Sequence, residues 1–89
     1  MEKQKLRDQL EQLHAELAEV KTLDSAEAEM LQHLASDIRE LLEREEDHAQ
    51  HYGGLGERLK EAVARLEASH PQATDRMRQV IDQLAYLGI

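Results

Sequence analysis

Cysteine, tryptophan and phenylalanine are missing from this 89-residue chain, and only two tyrosines are present. Without cysteine there is no disulfide framework, no thiolate zinc site and no thiol nucleophile, a usage that fits a reducing compartment. With so few aromatic residues the core must be built from Leu, Ile, Val, Met and Ala, which pack well between helices but line ligand pockets poorly. No uninterrupted apolar run approaches the roughly 20 residues that span a bilayer. The opening Met-Glu-Lys-Gln-Lys leads into a charged amphipathic stretch and not into the apolar segment of an export signal. A cytoplasmic protein is therefore expected.

Basic charge is also scarce. Eleven Lys and Arg face nineteen Asp and Glu, for a formal net charge of −8. The excess lies in one part: residues 1–51 carry 14 acids against 6 bases, and residues 52–89 carry 5 of each. Phosphate backbones and anionic membranes need clustered Lys and Arg, so no nucleic acid and no membrane is expected as partner. A protein partner with a basic surface is allowed, although acidic charge also serves solubility.

What is present is helical periodicity. Over about residues 2–21, Leu6, Leu10, Leu13, Leu17 and Val20 recur at alternating four- and three-residue steps, a heptad seam flanked by charged and amide side chains. So narrow a stripe is marginal alone in water and needs a partner helix. The chain breaks at Thr22-Leu23-Asp24-Ser25, where Asp24 and Glu27 have the spacing of a capping box and Ser25 is an alternative cap. A second helix is predicted from about Ala26 to Asp47, with a wider stripe of Met30, Leu31, Leu34, Ile38, Leu41 and Leu42 that can touch two neighbours. Three of the four glycines fall in the next stretch, Gly53, Gly54 and Gly56, which marks residues 48–56 as the hinge.

A third helix follows over about 55–68, with Leu55, Leu59, Ala62, Val63 and Leu66 on one face. Ser69-His70-Pro71 ends it, because a residue before proline resists α geometry and proline suits a new first turn. The last helix, about 71–87, carries Ala73, Met77, Val80, Ile81, Leu84 and Leu87, and Gly88 stands where a left-handed cap belongs. The expected fold is all-α, a single helical domain over 1–89. It comprises two hairpins (2–47 and 55–89) joined by the glycine-containing loop, forming a coiled-coil-like and dimeric bundle.

Few residue patterns carry chemistry. Glu-x-x-His occurs as Glu11/His14, Glu45/His48 and Glu67/His70, and in di-metal helical bundles that spacing aims a carboxylate and an imidazole into the core. Heptad positions put Glu11 and His14 off the inward track. Extending the second stripe lands on Glu45 and His48, although at a helix end. Glu67 and His70 also end a helix, where His70 serves the turn at Pro71. No acid stands within the apolar stripes to complete a di-metal set, so no metal and no cofactor is expected, and these four residues are the candidates of a competing metal-binding reading. His48 and His51 with Glu45, Glu46 and Asp47 form the densest polar cluster, either an ion- or pH-responsive patch or simply a solvated loop. Serines and threonines lie mostly at helix ends, with no nucleophile elbow, and the glycines lack the Lys-Ser/Thr of a phosphate loop. The chain is therefore read as no enzyme. Helix association remains, with Leu6, Leu10, Leu13, Leu17 and Val20 as the seam expected to meet another chain.

Three segments, Leu10-Glu11-Gln12-Leu13-His14-Ala15-Glu16-Leu17, Glu67-Ala68-Ser69-His70-Pro71 and the terminal Ile81 to Ile89, resemble a family of small bacterial proteins known only as domain of unknown function 4404. The resemblance covers nearly the whole chain, and the Ser-His-Pro turn and Gly-Ile ending are its more specific parts. It implies a compact helical protein of bacterial origin with no established activity, so it supplies no site residues. Relatives are expected to carry bulkier residues at positions such as Leu66 and Ala73, which would make the core here slightly lighter.

Overall fold

A computed structural model describes residues 2–21, 24–44 and 52–88. Its elements are α1 (Glu2–Glu19), α2 (Ser25–Glu43), α3 (Leu55–Leu66) and α4 (Pro71–Leu87), with no strand among the described residues.

The helix α1 has neither glycine nor proline, and its straight-chain residues lose little rotamer freedom in a helix. Leu6, Leu10, Leu13 and Leu17 are buried, and Val20 packs partly buried against the same core. The partner helices that so narrow a stripe demands are supplied by the chain itself. Within one copy, the seam is thus covered by the chain's own helices.

Asp24 caps α2. Its Oδ1 accepts from the Glu27 amide at 2.8 Å, and the Glu27 carboxylate accepts from the Asp24 amide at 3.3 Å, completing the box. The helix then ends at Glu43, with Arg44 extended (φ −73°, ψ 136°), four residues short of the predicted Asp47. Two causes meet there. Continuing the helix would bring Glu45, Glu46 and Asp47 onto the negative end of its dipole. In addition, Arg7 of α1 donates from its guanidinium to the carbonyls of Leu41 and Leu42, satisfying acceptors that a helix end leaves open.

Tyr52 is buried and anchors the short turn before α3, although the sequence reading placed it in the hinge. Gly54 takes φ +88°, a left-handed conformation that a side chain disfavours. The third helix stops at Leu66, not at residue 68: the Ser69 amide turns back three residues to the Leu66 carbonyl at 3.2 Å, tighter than an α-helix, and His70, ahead of Pro71, leaves helical geometry at φ −136° and ψ 67°. Pro71 occupies the first turn of α4, and Gly88 closes it in the left-handed region at φ +76°. Both expectations at these positions hold.

Contacts at the ends fix the helix directions. The start of α1 meets the end of α2 through Arg7. The end of α1 meets the start of α4, where Lys21 bonds His70. Arg58 near the start of α3 pairs with Asp37 of α2, and Gly56 lies beside Leu84 near the end of α4. Each helix is thus antiparallel to its chain neighbour, and α4 closes the ring on α1. Sixteen apolar residues from the four helices, together with Tyr52, form one continuous buried cluster. The wide α2 stripe does touch two neighbours, α1 and α3, but the closest packing belongs to α4, against α1 and α3.

Candidate functional site

Two of the expected metal candidates can be placed. Glu67 follows the last turn of α3, and its carboxylate accepts from Arg78 of α4 at 2.7 Å. His70 sits three residues on but faces elsewhere. Its Nε2 lies 2.9 Å from the Lys21 carbonyl and its Nδ1 2.8 Å from the Ser69 hydroxyl. A carbonyl only accepts, so Nε2 carries a proton in this arrangement, and a metal could bind that nitrogen only after the bond to Lys21 broke. The pair that sequence spacing put together is pulled toward two different partners. His70 ties the corner before α4 to the corner after α1, which makes it a cross-link between the hairpins. Glu45, His48 and His51 lie outside the described residues. Among the described residues, no three His, Asp or Glu side chains come together as a metal site would require.

The surface is instead grooved between helices. A cleft of about 520 Å³ separates the first half of α1 from the second half of α4 and is lined by Lys5, Gln9, Gln79, Asp82, Gln83 and Tyr86. A second cleft, about 540 Å³, lies at the opposite end of the same helix pair, around Glu16, Lys21 and His70. Between them Arg76 of α4 donates to Gln12 at 2.7 Å and approaches Glu16 at 3.9 Å. A groove of about 330 Å³ between α2 and α3 has Met30 and Leu34 as its apolar floor.

The first cleft differs from the others in its wall chemistry. Gln83 is buried at 6% exposure on the inner side of α4, beside Val80 and Leu84. The Oε1 atom of Gln9 is buried and has no hydrogen-bond partner, the only such side-chain atom among the described residues. At its rim Tyr86 is 71% exposed, the one large hydrophobic side chain standing in solvent there. None of these residues was singled out by motif, because an amide on a helix flank and a tyrosine near a helix end match no pattern of spacing. Position 83 did carry a signal: three residues beyond Val80 and four before Leu87, it falls on the inward side of the α4 stripe.

The model of a protein family described as domain of unknown function (DUF4404) matches residues 6–89. The chain belongs to that family. No curated protein and no solved structure matches it. The DUF4404 match runs from the first buried leucine of α1 through all four helices, and it includes the Ser69-His70-Pro71 corner and the Gly88 cap. For a DUF4404 protein the four-helix arrangement and its grooves are thus the starting point for function, since the family's description assigns no activity to any residue.

Proposed function

We propose that this protein is a non-enzymatic, self-associating interaction module of the bacterial cytoplasm. The observation that carries the reading is Tyr86, left 71% exposed beside a helix–helix cleft while the other large apolar side chains of the described residues are buried or half-buried. Tyrosine in water at the edge of a concave surface is a common anchor of protein interfaces, because it adds large contact area with few rotamers to freeze. No helix among the described residues is long and apolar enough to cross a membrane. The exposed acids of α1 and α2, among them Glu11, Glu19, Glu29, Glu40 and Glu43, further favour a partner with a basic surface.

Light scattering of the purified chain at micromolar concentration tests the central part. The expected mass is near twice the 10.2 kDa of one chain. A chain of monomer mass that still unfolds cooperatively overturns self-association.

A further inference from the structure

The α1/α4 cleft and the tyrosine at its rim place a knob and a hole on one face of the molecule. We propose that this face is where two copies meet, related by a two-fold axis, with Tyr86 of each seated in the α1/α4 cleft of the other. The inference rests on the self-associating reading above and supplies its surface.

Four observations converge on it. A two-fold interface uses the same patch twice, so any knob must lie beside the hole that receives its twin. Tyr86 meets that condition, since it both protrudes and lines the cleft. The space suffices: about 520 Å³ is well above the roughly 150 Å³ that encloses a benzene-sized ring. The wall chemistry also suits the ring's tip: the amide side chains of Gln9 and Gln79 line the cleft, and a phenol hydroxyl can both donate to and accept from an amide.

Charge selects the same face. Each copy carries −8, so two copies repel unless they meet where local charge is balanced. The cleft has one cation, Lys5 on α1, and one anion, Asp82 on α4, on opposite walls. A two-fold arrangement sets Lys5 of each copy toward Asp82 of the other, giving two opposite-charge contacts in place of none. The competing surfaces do less well. The α2/α3 groove has Glu29 and Glu61 against Arg58, and Arg58 is already paired with Asp37. The cleft around His70 has Glu16 and Glu19 against Lys21. The groove between α1 and α2 is uncharged but has no protruding aromatic to fill a partner.

Sedimentation equilibrium on the full chain at low salt tests the surface, using wild type, Tyr86→Ala, Tyr86→Phe, Lys5→Glu, Asp82→Lys and the double charge swap. All these positions lie on the surface, and helical circular dichroism is recorded for each. Tyr86→Ala is expected to weaken dimerisation by at least about tenfold, as for a central interface aromatic. Tyr86→Phe keeps the ring and loses the hydroxyl, so a smaller loss of roughly fivefold is expected. Each single charge change should weaken the dimer, and the double swap should recover it towards wild type, an outcome that a merely structural role for either residue would not produce. A wild-type dimer that persists unchanged in Tyr86→Ala and in both single swaps overturns this surface while self-association stands. A wild type that is monomeric throughout overturns both.

Discussion

Two glycines only two residues apart do opposite jobs, and the contrast can be measured. Gly54 sits at φ +88°, and a Cβ there would meet nothing within 4 Å. The cost of Gly54→Ala is therefore purely conformational, about 1–2 kcal/mol for forcing an L-residue into the left-handed region. Gly56 lies within α3, where an added Cβ would stand 3.9 Å from Leu84 Cδ1, an ordinary contact. Gly56→Ala should thus stabilise the fold, by about 0.5–1 kcal/mol, through helix propensity and a less flexible unfolded chain. Denaturant titration of the two variants checks the opposite signs. The sequence marks Gly53, Gly54 and Gly56 alike as a hinge, because glycine spacing does not reveal which one carries a positive φ. Residue-level reading succeeded where the signal is chemical and local: Asp24 with Glu27 as a capping box, and Gly88 as a left-handed cap. Local spacing reads His70 as part of the turn at Pro71 but not its partner, the backbone of Lys21, 49 residues away.

At the scale of helices, apolar periodicity located all four and missed mainly where they stop. The stripe says which side of α2 faces inward but says nothing of Arg7, which reaches from another helix to the last carbonyls of α2. A cap supplied from 34 residues away leaves no trace in local spacing. The consequence can be tested with Arg7→Gln, which shortens the reach and removes the charge. It should cost about 1 kcal/mol of stability, the net worth of a charge-assisted bond at a helix terminus. More specifically, hydrogen exchange should accelerate in the last turn of α2 while the amides of α3 keep their protection. Uniform acceleration everywhere would mean that Arg7 supports the whole fold and not that helix end.

For the molecule as a whole, the reading as two hairpins anticipated the element order and the antiparallel neighbours. It left open how the hairpins join. The closest packing is not within the first hairpin, because α1 lies more intimately on α4 than on α2, and α4 holds both α1 and α3. Of the four neighbouring pairs around the ring, α2 with α3 is the least engaged. Stability is then unequal across the bundle, and elements with fewer buried contacts open at lower free energy. Native-state hydrogen exchange should accordingly find α2 opening before α4. Protection of α2 equal to that of α4 would show that the bundle opens only as one unit. Two tyrosines in opposite surroundings, with no tryptophan to mask them, also make this protein its own pair of optical probes. Tyr52 is 4% exposed and Tyr86 71%. The near-ultraviolet emission thus divides into a shielded population that reports on whether the core is intact, and an accessible one that a soluble quencher reaches while the fold is untouched. Folding and surface occupancy can be followed separately in unlabelled protein.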